Sequence, residues 1–348
     1  MSFDSHSLNS IHASHATSAS HLETKTGTVT KKTIGAYVVQ VPGASSGASG
    51  QMVTCAISNR LRKELVFPIA DPTSFRRRVM AVEEIGAVDP VAVGDRVIFT
   101  DSGDGGGMIT EVLPRRSKLA RQAAGAKPLE QVIVANLDQV VLVFAAAHPE
   151  PKWNLLDRYL VSAEASGIPP LICITKLDLL ADDVELKAEV ENYRRIGYRA
   201  VLTSTVTGTG IDAFKAEVHG RMSAFIGKSG VGKTSLLNTI EPGLGLRVNE
   251  VSQSTDKGKH TTTHLEMFAL QGGGQVVDTP GLREFGLWQV TKTDIALFFP
   301  EMRPWVGTCQ FGADCGHASE PGCAIKRAVS QGHISHRRYE SFLKLAGE

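Results

Sequence analysis

At 348 residues with 42% hydrophobic composition, the chain has enough apolar material for two or three domains with cores of their own. Its formal charge is +1, so no global field marks it as a nucleic-acid binder, and its longest apolar run, VVLVFAAA at 140–147, is far too short to cross a bilayer. The opening MSFDSHSLNS has neither the basic nor the apolar region of a secretory leader, and five cysteines, three of them close together, suit a metal site in a reducing compartment better than a disulfide frame. A cytoplasmic location is expected, with no membrane or DNA partner.

From the N-terminus, residues 1–22 are rich in Ser, His and Ala with almost nothing to bury, and read as a disordered polar tail. Residues 23–115 carry short β-like runs: TGTVTKKTIGAYVVQV, MVTCAIS, RRVMAVEEI, DRVIFT and GGMITEVL. Gly, Asp and Pro separate them, and GASSGASG at 43–50 is a loop. About five strands with little helix fit a small β-barrel, most economically an OB-fold. Cys55 and, further on, Cys173 lie inside strand runs and read as core.

From 119 to 289 apolar strands alternate with helical patterns. QVVLVFAA is a buried strand. WNLLDRYLVSAEASG sets Leu155, Leu156, Tyr159, Leu160 and Ala163 on one helical face and closes at Gly167. PLICIT, DVELKAEVENYRRIGY, RAVLTS, IDAFKAEVH, MSAFIG and KTSLLNTI continue the alternation. That is βαβ wiring, which implies an α/β domain with a parallel sheet and helices on both faces.

The chemistry sits at the ends of these strands. PLICIT delivers Thr175-Lys176-Leu177-Asp178. A carboxylate at Asp178 can accept two N–H bonds from guanine. Adenine offers no such pair, so ATP would leave a buried carboxylate unpaired. Lys176 is expected to lay its alkyl stem over the base. LTSTVTGTG at 202–210 would close the other side through Ser204 and backbone N–H groups near Thr205.

GKSGVGKT follows a strand and opens a helix, the context a phosphate loop needs. Gly227, Lys228, Ser229, Gly230, Val231 and Gly232 would turn backbone N–H groups onto phosphate oxygens, with Ser235 in the first helical turn. Lys233 would reach the β- and γ-phosphates, and Thr234 would hold Mg²⁺. VVDTPG supplies Asp278 as a second Mg²⁺ partner and a Gly281 N–H facing the γ-phosphate. Between them, GKHTTTH at 258–264 reads as a switch segment in which Thr262, or its neighbour Thr261, closes on Mg²⁺.

The order is base reader, base loop, phosphate loop, first switch, second switch, so the domain is a circularly permuted P-loop GTPase. Leu282 stands where Ras-like domains carry a glutamine, and it cannot orient a water. His260 either accepts a hydrogen bond from the attacking water or orders the switch.

Residues 290–348 read as short helices around Cys309, Cys315, His317 and Cys323. Cys₃His is a tetrahedral zinc set, and four closed ligands mean a structural site. His333 and His336 sit on a basic stretch beyond it. Basic clusters at 59–64, 76–78, 115–118, 326–327 and 337–338 lie outside the GTPase segment and point to RNA phosphates. Trp153, Trp288 and Trp305 read as packing residues.

The permuted order, GKHTTT, DTPGLREFG and the cluster ending in EPGC together resemble one family, the small-ribosomal-subunit-dependent GTPases called RsgA or YjeQ. The resemblance runs from about residue 24 to the end. It implies an N-terminal OB-fold, a permuted GTPase and a C-terminal zinc domain. It also implies action on GTP, with GDP as product, late in assembly of the 30S subunit and its 16S rRNA, with hydrolysis stimulated by the subunit and followed by release. The histidine matching His260 is the family's proposed catalytic group, and a monomer is expected. Two features depart from the pattern: Thr175 replaces a common asparagine, removing an amide tie between loops, and Cys309 and Cys315 are one residue further apart than expected. The rival readings are a non-catalytic, nucleotide-gated RNA-binding module and an ATP-using P-loop enzyme.

Overall fold

The computed structural model describes residues 23–33, 35–42, 50–66, 90–123, 129–245, 265–278 and 290–347. The expected tail, most of the loop at 43–50 and the RRVMAVEEI run with Arg76 lie outside the described residues. So do His260, Thr261, Thr262, Gly281, Leu282 and Trp288.

The alternating run at 26–41 breaks at Gly35, whose φ of 78° suits a glycine turn, into β1 (Glu23–Thr33) and β2 (Ala36–Gln40). β3 (Met52–Ile57), a short helix α1 (Asn59–Val66), β4 (Arg96–Asp101) and β5 (Gly106–Val112) come next. β1 pairs with both β2 and β4, β4 pairs with β5, and β5 runs parallel to β3. The circuit therefore closes into a five-stranded barrel. Alternation turns Val53, Cys55 and Ile57 of β3 inward against Val39, Phe99 and Ile109.

A hairpin the sequence reading did not separate, β6 (Lys118–Gln122) and β7 (Glu130–Ala135), joins the barrel to the α/β domain. The Ala135 N–H donates to the Val93 carbonyl at 2.8 Å, and the Asn136 amide donates to the Gly94 carbonyl at 2.9 Å. Of the RRSK cluster, Arg115 is committed to this junction, while the Arg116 and Lys118 side chains stay exposed. Arg115 forks onto both oxygens of fully buried Asp95 at 2.7 Å, Lys118 pairs with Glu130 at 2.7 Å and Arg116 with Asp138 at 3.2 Å.

The α/β domain comprises β8 (Gln139–Ala145), α2 (Trp153–Ala165), β9 (Pro170–Thr175), α3 (Val184–Ile196), β10 (Arg199–Leu202), α4 (Ile211–Val218), β11 (Met222–Ile226), α5 (Lys233–Ile240), β12 (Glu266–Ala269) and β13 (Gln275–Asp278). Its strands lie in the order β10-β9-β8-β11-β13-β12. β8 is buried along its whole length, as a central strand covered on both faces must be. Val140, Leu142 and Phe144 pack with Tyr159 and Leu160 of α2 and Val190 of α3. Val141, Val143 and Ala145 face Phe214 of α4 and Leu236 of α5.

The sheet is not purely parallel. β12 runs antiparallel to β13 because the tight turn at 270–274 makes a hairpin and leaves no room for a crossover helix. The other edge of β12 meets β1 at Lys31 and Glu266, whose side chains pair at 2.9 Å. Barrel and nucleotide sheet are thereby continuous in one eleven-stranded sheet.

The C-terminal part has 3-10 turns at Ile295–Phe298 and Arg303–Trp305, then α6 (Ala324–Ser330) and α7 (His336–Gly347). Phe299, Ile325 and Phe342 form its core with the three cysteines, and Val161 of α2 enters the same cluster. Arg338 overturns its reading as half of an RNA-facing pair. Arg338 is 1% exposed, bound to Asp157 at 2.7 Å and Glu301 at 2.6 Å, and Arg337 takes the other Asp157 oxygen at 2.9 Å. Trp153 packs 5.9 Å from Tyr193, and Trp305 stacks 5.7 Å from His333. Among the described residues no helix is long and apolar enough to cross a membrane.

Candidate nucleotide site and metal centre

All the strand-borne motifs leave from one edge. β8, β9, β10, β11 and β13 are parallel, so their carboxyl ends share a rim. The chain steps outward from β8 to β9 and β10, then returns to β11 on the other side of β8. That reversal opens a crevice at the carboxyl ends, where open α/β sheets take their ligands.

Gly227 to Gly232 form the loop out of β11, and Lys233, Thr234 and Ser235 make the first turn of α5. A side chain at Gly227 would put its Cβ 2.3 Å from the Val143 carbonyl, so only glycine lets the loop leave the sheet there. Gly232 precedes the helix with φ of 91° and has the Thr175 hydroxyl 3.4 Å from where a Cβ would lie. Val231 is buried and anchors the loop on the α4–α5 face, while Lys228 and Ser229 are exposed. Lys233 folds over the loop, its ammonium donating to the Gly227 carbonyl at 2.6 Å and the Lys228 carbonyl at 2.9 Å.

The base-reading segment touches this loop directly. Thr175 ends β9, is 2% exposed, and donates its hydroxyl to the Val231 carbonyl at 2.5 Å. The tie expected to be lost with asparagine is thus made by the threonine. Lys176 adopts a left-handed φ of 58°, and its ammonium reaches the His148 carbonyl at 2.5 Å. Its methylene stem passes about 4.0 Å from the Gly232 Cβ position.

Asp178 corrects an expectation. Its carboxylate is exposed, because it sits on a 3-10 turn beyond the end of β9 and outside the packed layers. Ser204, fully buried after β10, donates its hydroxyl to one Asp178 oxygen and accepts N–H bonds from Val206 and Thr207 at 3.2 and 3.1 Å. Aim, not burial, is what the fold gives this carboxylate. The two base segments are further stitched by Leu177 N–H to the Thr203 carbonyl at 3.2 Å. Thr205 stands next, half-buried, at the loop's entrance.

β13 ends at Asp278, whose backbone lies level with Phe225, so its loop departs beside the phosphate loop. His260, Thr262 and Gly281 lie outside the described residues. The pairings of Thr175 with Val231 and of Ser204 with Asp178 carry no sequence signal beyond residue type, since their partners come from other strands.

In the C-terminal part the Cys309, Cys315, His317 and Cys323 donor atoms all lie within 4.8 Å of one another, and all four residues are buried. A tetrahedral zinc with Zn–S of about 2.3 Å and Zn–N of about 2.0 Å needs S···S near 3.8 Å and S···N near 3.5 Å. Here Cys309 and Cys323 sulfurs are 3.9 Å apart, and each lies 3.5 or 3.6 Å from His317 Nδ1. Cys315 brings its sulfur within 4.8 Å of these three despite its longer spacing from Cys309, and the donor set fits such an ion.

Burial holds the His317 imidazole below its ordinary value, in the neutral form a metal needs. Burial raises the Cys309 thiol, but the Ala324 N–H, donating to its sulfur at 3.2 Å, and the neighbouring thiols bring it below the usual range. Burial pushes Cys315 up to about 11. Tyr339 donates to the His317 carbonyl at 2.7 Å, and Glu320 accepts from the Gly316 and Ala318 N–H groups at 2.9 Å, fixing the loop around the cluster.

Comparison with known proteins agrees with this architecture. Residues 112–288 match the RsgA GTPase family. A small ribosomal subunit biogenesis GTPase RsgA of Gemmatimonas aurantiaca is 47% identical over 260 residues, covering 74% of this chain and 84% of that protein. One of the same name from Bacteroides fragilis is 36% identical over 298 residues, covering 85% and 90%. The crystal structure of YjeQ from Thermotoga maritima aligns with a TM-score of 0.69 at 30% identity, covering 93% of this chain and 98% of that one. That of YloQ, a circularly permuted GTPase, aligns at 0.67 and 30%, covering 94% and 96%.

Proposed function

Because the chain belongs to the RsgA GTPase family, we propose that this GTPase works in late assembly of the small ribosomal subunit, in the cytoplasm and as a monomer. Its partners would be the 30S particle, the 16S rRNA within it, GTP and GDP. The observation that carries the reading is the contact between base reader and phosphate loop, Thr175 to Val231, at the rim of one parallel sheet. A nucleotide bridging those two loops is read at both ends at once.

In this reading Asp178, aimed by Ser204, accepts from the guanine edge, Lys176 covers the base, and Thr205 closes it. Gly227, Lys228, Ser229, Gly230, Val231, Gly232 and Ser235 line the phosphates with Gly281. Lys233 turns from its own loop carbonyls to the phosphate oxygens. Thr234, Thr262 and Asp278 would hold Mg²⁺, whose charge offsets that developing on the phosphates. His260 accepts a hydrogen bond from the attacking water. Cys309, Cys315, His317 and Cys323 would hold one structural zinc. GTP stabilises the docked form, the subunit orders the switch and speeds hydrolysis, and hydrolysis releases the factor. The domain limits proposed are 23–115 for the barrel, 119–289 for the GTPase and 290–348 for the metal-binding part.

The test is hydrolysis of GTP beside ATP, with and without purified small subunits, and with His260→Ala in parallel. GTP-selective turnover that rises with subunits, and falls about 10²-fold or more in the variant without loss of GTP binding, is expected. Binding of GTP with no turnover under any condition would favour the nucleotide-gated RNA-binding module instead.

A further inference from the structure

Between the start of α2, the outer face of α7 and the phosphate loop lies a cleft of about 640 Å³. Lys152, Arg158, Lys228, Arg337 and Lys344 line it, against one carboxylate, Glu340. In a chain of net charge +1 this is a local concentration of positive charge. It has no sequence signature, because its cations come from three distant segments.

Not all of that charge is neutralised at home. Arg337 faces Asp157 at 2.9 Å and Glu189 at 2.6 Å, and Glu340 lies 3.3 Å from His336. Among the described residues no carboxylate pairs with Lys152, Lys228 or Lys344. Cations gathered around one concavity repel each other and focus a field that draws anions in. Trp153 and Leu155, both half-exposed, give the same cleft an apolar floor. Cations gathered around one concavity with an apolar floor suit the phosphates of a single-stranded nucleic acid.

We propose that this cleft binds the phosphodiester backbone of RNA and reports its occupancy to the phosphate loop through Lys228. The inference rests on the assembly reading above and adds where RNA meets the nucleotide domain. Lys228 stands at both places: the residue lines the cleft, and its carbonyl accepts from the Lys233 ammonium. A phosphate that draws the Lys228 side chain into the cleft moves the carbonyl that holds Lys233. RNA in the cleft thereby favours Lys233 turning to the nucleotide.

The experiment uses the full chain with Lys152→Glu and Lys344→Glu combined, since neither residue belongs to the nucleotide machinery. Lys187→Glu with Lys215→Glu, on α3 and α4, is the charge-matched control. Binding of a short labelled oligouridylate is followed by fluorescence anisotropy between about 50 and 200 mM salt. The cleft variant should bind at least about tenfold more weakly than wild type. Its log–log salt slope should be shallower by about 1.4, two phosphate contacts at about 0.7 each. The control should match wild type, GTP affinity and unstimulated hydrolysis should be the same in all three, and stimulation by small subunits should fall only in the cleft variant. Equal losses in the control, or full stimulation of the cleft variant, would overturn the proposal while leaving the assembly reading intact. Wild-type protein that binds the oligomer through the cleft but gains nothing from small subunits would sink the assembly reading instead.

Discussion

The Thr175 hydroxyl donates to the Val231 carbonyl at 2.5 Å, joining the segment that reads the base to the loop that wraps the phosphates. Both residues are buried, so the carbonyl has no water to turn to if the donor is removed. Thr175→Val keeps the shape and deletes the bond. A neutral hydrogen bond of this kind is worth about 1 kcal/mol net, and an orphaned buried carbonyl costs about 1–3 kcal/mol. GTP affinity is expected to fall at least about fivefold, read by titration with a fluorescent GTP analogue. Thr175→Asn, which restores a donor, should lose less. Equal affinity in the valine variant would show that the two loops are held by other contacts.

Asp178 is exposed but aimed, with one oxygen taken by the Ser204 hydroxyl. Asp178→Asn replaces an acceptor by a donor at the guanine edge. The expected result is a loss of GTP affinity of about a hundredfold or more with little change for ATP, so that selectivity collapses. Competition of GTP and ATP for the same labelled nucleotide measures it. Unchanged selectivity would remove Asp178 from base reading. Ser204→Ala should show a smaller loss in the same direction, because it frees the carboxylate to rotate without removing it.

These two pairs mark the limit of what could be read from the chain. The phosphate loop, the strand–helix alternation and the permuted motif order were legible because each depends on contiguous residues. The Cys/His cluster was legible for the same reason, its four members falling within one short segment. Partners from separate strands were not. Arg337 and Arg338 look like a solvated basic pair until Asp157 is brought to them from 180 residues away. Arg115 likewise awaits Asp95, and the antiparallel turn of β12 depends on a hairpin too short to hold a helix. The burial foreseen for Asp178 failed because it stands past the end of its strand, where side-chain alternation no longer decides what is inside.

The Cys₃His cluster should bind one zinc per chain, and Cys315→Ser or a strong chelator should remove it. Metal analysis of the purified protein and a thermal melt followed by tryptophan emission test this, since Trp305 and its partner His333 sit on the same core. The metal-free protein should melt at lower temperature. Burial keeps His317 below its unfolded value, so the folded form holds the imidazole neutral where the unfolded form begins to protonate. The stability this contributes is complete above a pH of about 6.5 and is lost as pH falls through the lower folded value. An apo-form melting temperature that does not fall below about pH 6.5 would contradict this.

The Arg338–Asp157 pair joins α7 to α2, and so couples the metal-binding part to the helix after the central strand β8. Burial works against the guanidinium charge, yet Asp157 and Glu301 hold Arg338 well above its ordinary value, and Tyr193 donates to the same Asp157 oxygen at 2.6 Å. Such a pair is weak evidence for net stability but a strong constraint on single changes. Asp157→Ala leaves a buried arginine with half its partners and should cost about 3–5 kcal/mol. Arg338→Met, which removes the cation and fills the space, strands Asp157 less severely, because Arg337 and Tyr193 still bond it. With Glu301→Gln added, so that no second buried carboxylate is left alone, its cost should be clearly smaller, and with Asp157→Leu as well smaller still or absent. Urea denaturation of the three variants orders them. An Asp157→Ala loss no larger than that of Arg338→Met with Glu301→Gln would mean that water reaches the arginine and that the junction between α2 and α7 opens in solution.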